Sequence, residues 1–168
     1  MPAITRDSLL TLEAYARERK AFRARVLAHK RDRTVHVGEH VTLLFEDELD
    51  VYNPLVPDGR NLKATMLIEY EDVDERRDAL ARLRGIEDAV YVRIEDFPDV
   101  RAIADEDLER ENDDKTSAVH FVRFELPPVM IAAFKGGRDV AIGVDHPEYR
   151  AQVTLSPASR AALAADFA

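Results

Sequence analysis

The sequence predicts an α+β domain in which two β-α-β-β units follow one another, preceded by a long N-terminal helix and a hairpin. Three observations carry that expectation. The stretch Asp96-Phe97-Pro98-Asp99-Val100-Arg101-Ala102 returns as Asp145-His146-Pro147-Glu148-Tyr149-Arg150-Ala151, with Asp, Pro, Arg and Ala kept in register. Each copy follows a strand-like run, a helix-like run that stops at Gly, and a second strand-like run. Proline at the second position of each turn presets φ, and β-forming residues such as Val92, Ile94 and Val144 stand before it, so each copy reads as a hairpin tip. The Asp at one end of each copy then faces the Arg at the other. The strands are expected to make one curved antiparallel sheet with helices on one face.

At 168 residues with 46% hydrophobic and 34% charged side chains, the chain is long enough for one sizeable core. It reads as a single domain, 1–168, divided into a helix and hairpin (1–51), repeat one (60–104), repeat two (116–155) and a C-terminal helix (156–168). The absence of Cys excludes disulfides, thiolate metal sites and cysteine nucleophiles. No apolar run reaches membrane-spanning length, and the first residues lack a basic segment followed by an apolar one, so no membrane is expected and the cytoplasm is the expected location. A net charge of −9 disfavours nucleic acid as a partner.

Taken in order, Thr5 and Thr11 are candidate caps for a helix over Leu12 to Arg31, with Leu12, Tyr15, Phe22 and Val26 on one face. Arg19, Lys20, Arg23, Arg25, Lys30, Arg31 and Arg33 make this the most basic part of the chain; cations near a helix C-terminus also complement its dipole. Thr34–Val37 and Val41–Phe45 flank Gly38-Glu39-His40 and predict a hairpin that brings His36 and His40 close. Two imidazoles across a turn supply half of a tetrahedral metal site. The acidic run 46–50 and the Pro-rich stretch to Gly59 then read as a link.

Repeat one opens with a strand from Leu62 to Tyr70, in which Ala64, Met66, Ile68 and Tyr70 share a face. Asp72 and Glu75 have the spacing of a capping box for a helix that ends at Arg84, before Gly85. Strands follow at Ala89–Ile94 and Val100–Ala104. The acidic stretch from Asp105 to Asp114 lacks the Gly and the spacing of a calcium loop and reads as a solvated connector. Repeat two has a strand from Ala118 to Leu126, a short helix opened by Pro127-Pro128 and stopped by Gly136-Gly137, and strands at Val140–Val144 and Arg150–Leu155. Ser156-Pro157 starts the final helix.

His120 stands on the apolar face of its strand, where the other unit has Met66. Its ordinary role there is a neutral, hydrogen-bonded core histidine; as a functional group, its expected partner is His146 at the last turn. Glu69 and Arg123 occupy equivalent places on the face of the two first strands opposite the apolar one and are candidates to pair. Ser8, Ser117, Ser156 and Ser159 lack a nucleophile-elbow setting, and Gly136-Gly137 lacks the pattern of a phosphate loop.

The segments Phe22-Arg23-Ala24-Arg25-Val26, His29-Lys30, Leu43-Leu44-Phe45-Glu46, Tyr52-Asn53-Pro54-Leu55, Leu62-Lys63-Ala64-Thr65, Ile103 to Glu111 and Lys115 to Phe121 together resemble a bacterial family of unknown function. The resemblance runs from about Thr5 to Tyr149. Genes of that family lie beside those for rubrerythrin and an iron–sulfur oxidoreductase, which implies a link to redox metabolism or peroxide defence and a redox protein as partner. It implies no assigned active site. In that family a helix-length stretch separates the Leu-Leu-Phe-Glu strand from the Tyr-Asn-Pro-Leu loop, whereas here Asp47-Glu48-Leu49-Asp50-Val51 joins them directly.

Two functions follow as expectations. The first is an accessory protein that assembles with itself or with a redox partner through its charged N-terminal helix and its sheet. The alternative is a metal-dependent enzyme, with His36, His40, His120 and His146 as candidate ligands of a divalent metal, since paired β-α-β-β units also resemble cup-forming metalloenzymes built from duplicated βαβββ modules. Those modules carry one more strand.

Overall fold

The structure is a computed structural model, and it describes residues 12–47, 56–108, 110–112 and 114–168. The candidate caps Thr5 and Thr11 and most of the link lie outside these residues. Helix α1 (Leu12–Arg31) leads into the hairpin β1 (Thr34–Val37) and β2 (Val41–Phe45). Then come β3 (Asn61–Ile68), α2 (Val73–Arg82), a 3-10 turn (Glu87–Ala89), β4 (Val90–Ile94), β5 (Val100–Arg101) and β6 (Ile103–Ala104). The chain ends with β7 (Val119–Glu125), α3 (Pro128–Lys135), β8 (Val140–His146), β9 (Tyr149–Thr154) and α4 (Pro157–Ala164).

The α+β class is as expected, but the strands divide between two antiparallel sheets, in the orders β1-β2-β3-β7-β6 and β5-β4-β8-β9. The division occurs at Ala102. Val100–Arg101 pair with β4, Ile103–Ala104 pair with β7, and Ala102 between them sends its N–H to Val90 O and its methyl group into the core. One continuous stretch thus serves as an edge of both sheets, and its bend turns one expected sheet into two that face each other.

Period-2 alternation decides what lies between them. Val41, Leu43 and Phe45 of β2, Leu62, Ala64, Met66 and Ile68 of β3, and Val122 and Phe124 of β7 point inward from one sheet. Val90, Val92 and Ile94 of β4 and Val140, Ile142 and Val144 of β8 point inward from the other, and all belong to one core. Burying each large apolar side chain stabilises the fold by about 1.5–3 kcal/mol. On the outer face of the second sheet, Tyr91 lies flat on Gly143, where a Cβ would fall 2.4 Å from the ring.

The caps follow the sequence. Asp72 accepts from the N–H groups of Asp74 and Glu75 at 2.9 and 2.8 Å, and Gly85 adopts φ +76 beyond the end of α2. Ser156 accepts from Ser159 N at 3.0 Å and opens α4. The two turn copies differ. Asp145 stands directly opposite Arg150, with 3.2 Å between carboxylate and guanidinium, as expected. Asp96 instead adopts φ +68 and pairs with Arg138 at 2.9 Å, while Arg101 stands opposite Tyr91 and reaches toward Asp145 at 3.6 Å. Glu69 and Arg123 do not pair either: Glu69 accepts from Thr42 at 2.6 Å, and Arg123 binds Glu106 and Glu125.

Arg33 departs furthest from its expected role. Rather than joining a basic surface, it is 2% exposed. Its guanidinium donates to Phe45 O at 3.2 Å, Glu46 O at 3.1 Å and Ala162 O at 2.9 Å, and pairs with Asp166. Burial pushes the Asp166 carboxyl up to about 6 against the opposing pull of Arg33.

Candidate functional site: a buried histidine between two carboxylates

The alternation of β7 places His120 on the core face, directly opposite Met66 and fully buried. A polar ring there requires partners. The first comes from the start of the acidic connector. Asp105 takes φ +49 just after β6, which an Asp tolerates, and its N–H bonds Phe121 O at 2.8 Å while its Oδ1 accepts from Phe121 N at 2.9 Å. That double clamp brings Oδ2 to 2.6 Å from His120 Nδ1. Arg110 closes the connector over this carboxylate, 3.2 Å from Asp105 and 2.7 Å from Asp107, with its guanidinium 4.5 Å from the centre of the Phe121 ring. The connector is therefore not simply solvated, because its first residue is drawn inward.

The other side of the ring faces the 3-10 turn and the segment before β7. Nε2 lies 3.0 Å from Thr116 Oγ1, 3.0 Å from Ser117 O and 3.9 Å from Glu87 Oε2, and Thr116 Oγ1 is 3.4 Å from the same Glu87 oxygen. Thr116 is 1% exposed and is fixed by its N–H to Leu80 O. Glu87 is buried, and two residues before it the Gly85 N–H binds Glu111 at 2.7 Å. Burial pushes the Glu87 carboxyl above its ordinary range; His120 opposes that shift, and Glu111 and Asp88 add to it.

The hydrogen bonds assign the chemistry. A carboxylate at Nδ1 holds the proton on that nitrogen, which leaves Nε2 as the free lone pair of the neutral ring. Around Nε2 stand a hydroxyl and a carbonyl, each 3.0 Å away, with the Glu87 carboxyl at 3.9 Å. The hydroxyl can donate to the Nε2 lone pair, and the oxygens gathered there with Nε2 are also a donor set for a metal ion. Among the described residues, Glu87, Asp105 and His120 are the group of three or more His, Asp or Glu side chains whose ligating atoms all lie within 4.8 Å of one another.

The remaining candidate histidines are elsewhere. His36 is exposed and donates from Nδ1 to Thr42 Oγ1 at 2.9 Å, and the Thr42 hydroxyl donates in turn to Glu69. His40 donates to the Glu69 carbonyl at 3.0 Å and stacks on Tyr70, with ring centres 3.8 Å apart. His146, the expected partner of His120, instead donates from Nε2 to Arg84 O at 2.9 Å and accepts from Glu148 N at 3.2 Å. Sequence reasoning singled out His120 but missed Glu87, Asp105 and Thr116. The one available signal was Thr116 four residues before His120; the two carboxylates arrive from distant turns.

Beside the His36/His40 hairpin lies an open depression of about 830 Å³, lined by Glu39, His40, Glu69, Tyr70, Glu71 and Glu75 among others. A second, of about 410 Å³, lies on the outer face of the second sheet around Tyr91, Arg93 and Gln152. No member of the buried cluster lines either one. Among the described residues, no helix is long and apolar enough to cross a membrane.

Comparison with known proteins places this chain in a family. A crystal structure of a novel protein of unknown function from Burkholderia pseudomallei K96243 is similar, with 51% sequence identity and a TM-score of 0.89 over 98% of this chain and 99% of that one. No curated protein matches the chain. The family model described as protein of unknown function (DUF3501) matches residues 3–49 and 47–167, two blocks that overlap at residues 47–49. The chain belongs to the DUF3501 family of proteins of unknown function.

Proposed function

We propose that the protein is a divalent-metal-binding accessory protein whose ion sits between His120 Nε2, Glu87 Oε2 and Thr116 Oγ1. One observation carries this reading. The three donor atoms are 3.0, 3.4 and 3.9 Å apart, around the edge of about 3.4 Å that a tetrahedron with metal–ligand bonds of about 2.1 Å requires. The Ser117 carbonyl stands beside them, and Asp105 on Nδ1 supplies the carboxylate that typically orients a metal-bound imidazole. One imidazole with oxygen donors suits zinc or manganese better than copper or an iron–sulfur cluster. His120, Thr116 and Glu87 are all buried, which suits an ion that fixes the connector and the 3-10 turn rather than one that activates water for a substrate.

Metal analysis of protein purified without chelator tests this. The expected result is about one zinc or manganese per chain, lost in both His120→Ala and Glu87→Gln, with a lower melting temperature after chelation. Metal-free protein that takes up neither ion and melts unchanged in chelator would overturn the reading and leave His120 as a hydrogen-bonded core histidine.

A further inference from the structure

We infer that the exposed basic face of α1 in one copy docks on the acidic depression of a second copy, forming a two-fold dimer. The observation behind it is a matched pair of surfaces on one chain. Arg17, Arg19, Lys20 and Arg23 of α1 are exposed, and with Ala24, Leu27 and Ala28 they line one side of the helix. Leu27 is 62% exposed, too apolar a side chain to gain from standing in water beside that charge. The depression by the β1–β2 turn presents the complement. Glu39, Glu69, Glu71 and Glu75 bring four carboxylates against the single guanidinium of Arg76, and Leu67, Ala118 and Val119 floor it with apolar surface.

The depression is also held in shape. His40 is pinned by its bond to the Glu69 carbonyl and by its stack on Tyr70, and its backbone N–H binds the Tyr149 hydroxyl at 3.1 Å. A pre-shaped acidic wall with an apolar floor suits a helix that carries arginine and lysine around a leucine. Both surfaces belong to every copy, and in this two-fold arrangement both contacts form at once, so the pair closes without growing into a filament. A copy of this chain fits better than nucleic acid, because the depression itself is acidic and repels a polyanion, whereas each copy carries the basic helix face that complements it.

The test uses the full chain in native mass spectrometry and sedimentation at low and high salt. The expected result is a dimer at low salt that weakens about tenfold or more at high salt. Arg19→Glu/Arg23→Glu and Glu71→Lys/Glu75→Lys, all at exposed positions, should each give folded monomers, and mixing the two should restore a one-to-one heterodimer. A wild-type monomer at low salt, or a dimer indifferent to both reversals, would overturn the inference. So would a monomer that binds an arginine-rich peptide through Glu71 and Glu75, which would assign the depression to a foreign basic segment. None of these outcomes depends on metal content, so this inference and the metal centre stand or fall separately.

Discussion

Arg33 and Asp166, 133 positions apart, form a buried ion pair that fastens the exit of α1 to the chain just beyond α4. The pair is unequal. Besides Asp166, the guanidinium is held by the Phe45, Glu46 and Ala162 carbonyls and lies 3.6 Å from Asp47, so it retains partners when Asp166 is changed. Asp166 has no comparable set. Arg33→Met should therefore cost about 3–5 kcal/mol of unfolding free energy, and Asp166→Asn clearly less, as measured by urea denaturation. Equal losses would contradict the asymmetry.

The same pair gives a pH dependence with a definite sign. Asp166 is raised from 3.8 to about 6, so between those values the folded protein binds a proton that the unfolded chain has released. Stability should fall as pH rises across that window and level off on either side. The difference of about 2 units corresponds to about 3 kcal/mol. Asp166→Asn should flatten this part of the profile, which denaturation at a series of pH values would reveal.

Asp105→Asn probes how His120 is oriented. An amide can donate to Nδ1, which moves the ring proton to Nε2, where Ser117 O and Thr116 Oγ1, each 3.0 Å away, accept it. The fold should survive with a small loss, while metal affinity drops about 10- to 100-fold. Isothermal titration with zinc or manganese against a parallel melting curve separates the two effects. A variant that binds either ion as tightly as wild type would contradict the second role given to Asp105.

Tyr149→Phe should cost about 1 kcal/mol. Its hydroxyl donates to Val37 O at 2.6 Å and accepts from His40 N, linking β9 of one sheet to the β1–β2 turn of the other. Faster hydrogen exchange at His40 with little change elsewhere would confirm that the loss is local.

The strands, caps and core faces were legible because each depends on neighbours in sequence. The alternation in β3 and β7, Asp72 before α2 and Gly85 after it are local signals, and the structure follows them. The division into two sheets was not legible, since it turns on which partner Val100–Arg101 and Ile103–Ala104 each find across the fold. His120 stood out as a polar residue on an apolar face. Its partners did not, because Asp105 lay within a run of carboxylates that reads as solvated, and only its positive φ and the clamp on Phe121 single it out. Arg33 was hidden likewise by the basic residues around it.

The way the strands pair also bears on how this chain can be divided. β3 bonds to β7 and β4 bonds to β8, so each sheet draws its central ladder from both sides of the acidic connector. Neither flank can satisfy its own backbone donors alone. A chain cut within the connector should thus yield two fragments that are unstructured apart and recover the native spectrum when mixed, and the intact protein should unfold in one cooperative transition rather than sheet by sheet. Pairings this remote in sequence also place the slow step of folding at the meeting of the two flanks.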